Sequence, residues 1–417
     1  MRIIPFLLTT LVIFALHAED PLESISSDPG VTSLFIGTGE LGKTLLQLSK
    51  DSPFRIGGIW TADGNILLTK RQNAKSITGN NLLIIGATFD TEKASCWKGG
   101  LFGINLLQYN GMNTNGNVGS AQGFDNLSFI PPFHRSELYQ IWFRQSMLDH
   151  KLHIKIGKTD PSLDFNNIQR PFPTQNQSLK NPAITSLLYT PVFLNPANFG
   201  TMPAYYNSVY GLMLHFAPTT TCYFSGGIYD GSMAIGKQTG LLGPHFHKYY
   251  FGITEGGVAW HAGIQNKPGM IALGGWRQTG MLTIPQGIQQ NGATGGYAFG
   301  SQRIWFRHPG KDDSGMSVFA QIGANNGKTL PIRRFIGAGC TAFGLTRKHD
   351  SFGTGIAWSK LNRNIYPRSS EWMWQTYYQA LLIHTTFLEP VFTYIPSPGA
   401  GNSSSVSILT VQVISLF

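Results

Sequence analysis

Val406-Ser407-Ile408-Leu409-Thr410-Val411-Gln412-Val413-Ile414-Ser415-Leu416-Phe417 ends the chain. Leu409, Val411, Val413 and Phe417 fall on one face at a period of two, and the strand stops on an aromatic residue. An amphipathic strand with a terminal Phe is the usual ending of a bacterial outer-membrane barrel, whose outer face meets lipid and whose ends carry aromatic girdles. Ser415 departs from that pattern, which normally places another apolar or aromatic residue there.

The same alternation recurs upstream. Leu152, Ile154 and Ile156 alternate with Lys151, His153 and Lys155, and Tyr139, Ile141 and Phe143 with Gln140, Trp142 and Arg144. Val318, Ala320 and Ile322 alternate with Ser317, Phe319, Gln321 and Gly323, and Ile304 and Phe306 with Arg303, Trp305 and Arg307. One face of each strand is apolar and the other polar or basic. A soluble sandwich would show this with the apolar face inward. A transmembrane barrel shows it with the apolar face toward lipid, and the last strand decides for the barrel. Composition agrees: 12% of residues are charged, about half the usual fraction, beside 49 Gly and 27 Phe.

Residues 1–18 read as a secretory signal peptide: a positive Met1-Arg2, an apolar run from Ile3 to Leu16, and cleavage after Ala18. No later stretch is apolar enough for a spanning helix, so a membrane-inserted chain must close as a barrel. Residues 19–53 form a short periplasmic segment, with helix expected from Lys43 to Lys50. Residues 54–417 form an all-β, transmembrane antiparallel barrel, the last strand pairing with the first near residues 54–62. The Pro-rich residues 159–208 and the Gln/Gly/Asn-rich residues 283–297 read as long extracellular or inward-folded loops. Cys96, Cys222 and Cys340 lack metal-ligand spacing and read as small buried residues, with pairing between chains as the alternative.

Residues 37–44, Gly-Thr-Gly-Glu-Leu-Gly-Lys-Thr, match the phosphate-cradling pattern at every fixed position. There Lys43 would hold phosphates and Thr44 a magnesium ion. The context argues against it. The chain is exported, no buried strand ending in Asp follows, and the alternation of strands and helices that such a loop needs is absent. No nucleotide is expected as a partner.

The ordered series of motifs resembles the OprB-type carbohydrate-selective porin family from about residue 34 to the end. Gly39-Glu40-Leu41-Gly42 resembles the family's Gly-Asp-Trp-Gly-Gly, with Leu41 in place of Trp. Cys96-Trp97-Lys98-Gly99-Gly100 resembles its Gly-Trp-x-Gly-Gly turn. Strands 138–145 and 151–160, closed by Asp164-Phe165, resemble its best-defined strand pair. Gly227-Ile228-Tyr229-Asp230-Gly231, the block from Arg347 to Gly355, Glu371 with Tyr377-Tyr378, and Glu389-Pro390 through Pro398-Gly399 follow in order.

The resemblance implies a barrel of about 16 strands that passes sugars and other small solutes down their gradient. The length fits: about 25 residues serve each strand and connection, against the 9–11 that a spanning strand needs. Sugar passage needs aromatic faces to stack on and polar groups to bond hydroxyls. Trp142, Arg144, Lys151, His153, Lys155, Arg303, Trp305 and Arg307 are the channel candidates on polar faces, lining a basic, aromatic lumen in which anions are expected to pass more readily than cations at low salt, and Asp160, Asp164 and Arg170 are the constriction-loop candidates. A lumen arginine can equally be structural, pairing with a loop carboxylate. A general or anion-preferring pore is the second reading, from 31 Lys and Arg against 21 Asp and Glu. A surface adhesin is a third.

No enzyme is expected: there is no Gly-x-Ser-x-Gly signature and no matched nucleophile and base. Neither cofactor, metal nor nucleic acid is expected. The expected partners are outer-membrane lipid, lipopolysaccharide and transported sugars, and the choice between monomer and homo-oligomer stays open.

Overall fold

The computed structural model describes residues 37–417 apart from 50, 70–73, 129–130, 169–194, 204–206, 238–242, 384 and 402–403. Sixteen strands form one closed ring. They are β1 (Phe54–Leu67), β2 (Ile77–Asp90), β3 (Gly100–Asn110), β4 (His134–Met147), β5 (Leu152–Thr159), β6 (Val209–Thr219), β7 (Cys222–Asp230) and β8 (Tyr250–Ala262). The second half runs β9 (Lys267–Thr283), β10 (Gln289–Phe306), β11 (Gly315–Asn325), β12 (Ile332–Phe343), β13 (Ser351–Leu361), β14 (Ser370–Ile383), β15 (Thr386–Ile395) and β16 (Val406–Leu416). Each strand pairs antiparallel with its chain neighbours, and β1 pairs with β16. No edge is left with unpaired backbone groups in lipid.

The alternation read from the sequence sets the two faces. Leu409, Val411 and Val413 point outward, while Ile408, Thr410, Gln412 and Ile414 are buried inside. Val318 and Ile322 are exposed outside, and Ser317, Phe319 and Gln321 lie inside. Leu106, Ile156, Phe224, Leu273 and Ile356 are each about half exposed or more, which in water would be a liability and in hydrocarbon is the stable side.

The seam pairs Gly58 with Phe417 through two backbone bonds of 2.7 and 2.9 Å and continues to Leu67–Ile408. It therefore uses residues 58–67, further along than the expected 54–62. Phe54 lies beyond the chain's end and pairs only with Phe89 of β2. Closure of this kind predicts heat-modifiable gel mobility. A chain fully unfolded by mild detergent at room temperature would contradict it.

Helix α1 (Glu40–Leu46) begins three residues earlier than expected because Gly39, at φ 85°, caps it. The phosphate-loop lookalike packs on the seam. Thr38 N–H donates to the Phe417 carbonyl at 3.1 Å, and a Cβ on Gly37 would come within 2.3 Å of that oxygen. Lys43 pairs with Glu40 at 2.5 Å on the surface. Such exposed pairs are worth at most about 1 kcal/mol, so Lys43→Ala should leave folding and conductance unchanged. Saturable ATP binding by the native chain, lost in this variant, would overturn that.

Residues 283–297 are not a loop. β9 and β10 run through them and turn over 284–288, with Gly287 at φ 80°. The abundance of Gly, Gln and Asn there reflects small and polar strand positions. The three cysteines form no disulfide within the chain, and none is fully buried, against expectation: Cys96 is exposed, and Cys222 and Cys340 are partly exposed.

Connections such as 148–151, 220–221 and 263–266, at the end holding Phe417 and the start of β1, are short. Those at the other end include 111–133 and 160–208. Short turns face the periplasm and long loops face outside in such barrels, which orients the chain.

Candidate functional site: the crossed lumen

The described parts of two long connections turn into the barrel instead of away from it. The first, 111–133, starts with the short helix α2 (Thr114–Val118), whose cap Asn113 accepts from the Gly116 N–H at 2.7 Å. Its Asp125 carboxylate accepts from Asn65 of β1 at 3.1 Å, from Asn80 of β2 at 2.8 Å and from Thr114. The loop then reaches β14. Glu371 of β14, fully buried, accepts from Ser120 Oγ at 2.8 Å and from the backbone N–H groups of Ala121 at 2.8 Å and Gln122 at 3.1 Å. Gly399 N–H, from the β15–β16 connection, donates to the same carboxylate at 2.5 Å. Gln375 Nε2 donates to the Phe124 carbonyl at 3.0 Å, and Ser359 Oγ to Gln122 Oε1 at 2.8 Å. Below these bonds Val118 and Phe124 pack on Met373, Ile395 and Val406.

The second connection, 160–208, leaves β5 through helix α3 (Pro161–Asp164). Asp160 caps it, accepting from Ser162 N–H at 2.8 Å, and Pro161 follows where a missing N–H is harmless. Tyr139 O–H also donates to Asp160 at 2.7 Å. Burial pushes the Asp160 carboxyl up, against these hydrogen bonds. Asp164 and Lys155 form a buried ion pair, 2.8 Å apart. Beyond it Asn166 N–H donates to Glu255 of β8 at 2.7 Å, and Asn198 Nδ2 to Asn166 Oδ1 at 2.8 Å. Trp276 of β9 donates to Asn198 at 2.9 Å. On β11, Asn195 donates to the Ile322 carbonyl at 2.9 Å and Asn325 to that of Ala197 at 2.8 Å. Phe165, Ile168 and Met202 fill the space against Tyr223, Trp276 and Phe319.

Glu255 is the hub of this wall: Tyr223 O–H donates to it at 2.7 Å and Tyr297 O–H at 2.9 Å. Buried carboxylates of this kind are tolerable only when hydrogen-bonded throughout.

The expected channel residues divide. Trp142, Arg144, His153, Lys155 and Arg303 lie on inward-facing positions. Trp142 is buried, with the Lys155 ammonium 5.7 Å from its ring centroid. His153 bonds Ser146 Oγ at 2.9 Å, and its ring centroid lies 5.9 Å from that of His215, its cross-strand partner. Arg303 is fully buried near the periplasmic end, donating to the Asp313 carbonyl and lying over the Phe306 ring.

Three expected positions are corrected. Lys151 sits exposed in the β4–β5 turn. Trp305 faces outward, because a bulge between Arg303 and Trp305 shifts the register and pairs Trp305 with Met316. Arg307 lies beyond the end of β10 and donates to the Gly344 and Leu345 carbonyls at 3.2 and 2.6 Å. A second bulge, opposite Asn105-Leu106, turns Tyr139 inward from the face its alternation assigns. Arg170 lies outside the described residues. Asp160 and Asp164 stand at the start of the second inward segment.

The sequence reading missed Glu255, Glu371 and Asp125 as anchors. Glu371 carried a signal, since it stands in the motif series that resembles the porin family. Glu255 stands as an isolated carboxylate in Gly252-Ile253-Thr254-Glu255-Gly256-Gly257.

A closed, lipid-facing wall around a lumen crossed by two internal loops defines an outer-membrane channel barrel, not an enzyme. A model of the carbohydrate-selective porin, OprB family, matches residues 75–415. The chain belongs to that family. Its fold is similar to the high-pH structure of Pseudomonas putida OprB, with a TM-score of 0.74 at 17% identity over 94% of this chain and 99% of that one. The low-pH structure of the same porin gives 0.56 at 16% identity over 92% and 99%. Comparison with curated proteins gives no significant match.

Proposed function

We propose that the chain gives passive, carbohydrate-preferring diffusion of small solutes across the outer membrane. The family supports the substrate class. The observation that carries the reading furthest is the pair of inward loops, each anchored on strands other than the two it joins by buried amides, hydroxyls and carboxylates. They narrow a wide barrel and place aromatic and hydrogen-bonding groups where a sugar must pass.

Charge favours this reading over an anion-preferring pore. Two inward cations have close anions: Lys155 has Asp164, and Arg135 lies 4.0 Å from Glu137. Asp63, Glu255, Glu371 and Glu389 also face inward. Several of the chain's cations lie instead on the outer face and rim. Net basicity therefore overstates the field inside.

In planar bilayers, added neutral mono- and disaccharides should occlude the ionic current in a saturable way, with little anion preference at 0.1 M salt. Conductance that is insensitive to every sugar would overturn the carbohydrate reading, and a strongly anion-selective reversal potential would restore the second one.

A further inference from the structure

On the outer face, toward the extracellular end, the apolar belt gives way to cations in an ordered ladder. Directly paired positions across β12, β13 and β14 form three rows. Ala338, Ile356 and Trp374 make the first, Ile336, Trp358 and Trp372 the second, and Arg334, Lys360 and Ser370 the third. Their chain neighbours Phe335, Ser359 and Glu371 are buried inside, which fixes the outward direction of the third row. The succession from hydrocarbon through aromatic to cation is that of a membrane interface.

The third row is unusual in holding two like charges directly opposite each other. Paired strands lie only about 4.8 Å apart, and opposed like charges destabilise a sheet. Arg333 is exposed beside them. Arg363 and Arg368, in the connection 362–369, line a cleft of about 520 Å³ with Ser369, Ser370, Trp372 and Ser397. Segments 326–343 and 351–370, which build most of this surface, contain no Asp or Glu. Arg333, Arg334 and Lys360 form no ion pair among the described residues.

We propose that this surface is a binding site for the phosphorylated head group of an outer-leaflet glycolipid of the lipopolysaccharide type. A phosphate between Arg334 and Lys360 turns their repulsion into two charge-assisted contacts. In the neighbouring cleft Arg363 and Arg368 donate to the Pro367 and Gly401 carbonyls, which hold their positive charge beside the serine hydroxyls for a second anionic group. Trp372, half exposed at the cleft floor, offers a face for a sugar ring, and Ile336 and Trp358 below it meet acyl chains. The long-loop end is the outer-leaflet end, which is where such lipids reside.

The test uses the full chain in detergent micelles, titrated with purified lipid A, with dephosphorylated lipid A and with phosphatidylglycerol, bound lipid being counted by native mass spectrometry. Lipid A is expected to bind most tightly. Arg334→Gln with Lys360→Gln should weaken it by about tenfold or more, given about one kcal/mol per surface cation, while heat-modifiable mobility and conductance stay as in the native chain. Arg363→Gln with Arg368→Gln is the second variant and should act in the same direction. Equal affinity for dephosphorylated lipid A or for phosphatidylglycerol would overturn the proposal. So would displacement by millimolar inorganic phosphate, or binding untouched by both variants in folded protein.

Discussion

Glu371→Ala should raise single-channel conductance and its noise while the barrel wall stays closed. The carboxylate takes hydrogen bonds from Ser120, Ala121, Gln122 and Gly399, so its removal strands three backbone N–H groups in a buried site. Each unsatisfied group costs about 1–3 kcal/mol. The loss is several kcal/mol, concentrated on the loop 111–133 and its attachment to β14. The sixteen strands keep their ladder, so heat-modifiable mobility should persist. Glu371→Gln keeps one acceptor oxygen and should fall between the native chain and alanine. Unchanged conductance and thermal stability in the alanine variant would show that the loop is held by its apolar contacts alone.

Lys155→Ala should have an effect of similar size on the second loop. Its partner Asp164 is as deeply buried, and removing one member of a buried pair costs about 3–5 kcal/mol because the other charge is left without compensation. Asp164→Ala should be equally damaging. The double variant should recover much of the loss, since neither charge then remains. Sugar occlusion of the current should weaken in each single variant and return in part in the double. Additive losses in stability would rule out direct coupling between the two.

The wall was readable from the sequence because period-two alternation is a local property, enforced residue by residue through the contrast of lipid and lumen. The last strand and the outward faces of β5 and β11 follow from it directly. Two side chains broke the rule where a bulge inserts one residue: Tyr139 turned inward and Trp305 outward. Nothing in either stretch marks the bulge, because it arises from pairing with β3 and β11. Lys151 and Arg307 continue the alternation on paper but lie just past the strand ends. The prolines of residues 159–208 read as a loop, and most of that stretch lies outside the described residues. The loop 111–133 is shorter and only mildly polar, and its destination is fixed by Glu371, about 250 residues away along the chain. The outward cations at 334 and 360 look like lumen residues by charge. Only the parity set by Phe335 and Ser359 places them outside.

A cylinder whose wall is a single hydrogen-bonded sheet is stiff along its strands and soft to flattening, since small changes of angle between neighbouring strands are cheap. The inward loops alter that. One runs as a chord from β3 and β4 to β13 and β14, the other from β5 to β8 and β11, and both are fastened at each end by bonds that cannot stretch by an ångström without being lost. They act as cross-bracing. Lateral pressure from the membrane that would make an unbraced ring oval must here break a tie first, so the bore should hold its shape across bilayers of different thickness and tension.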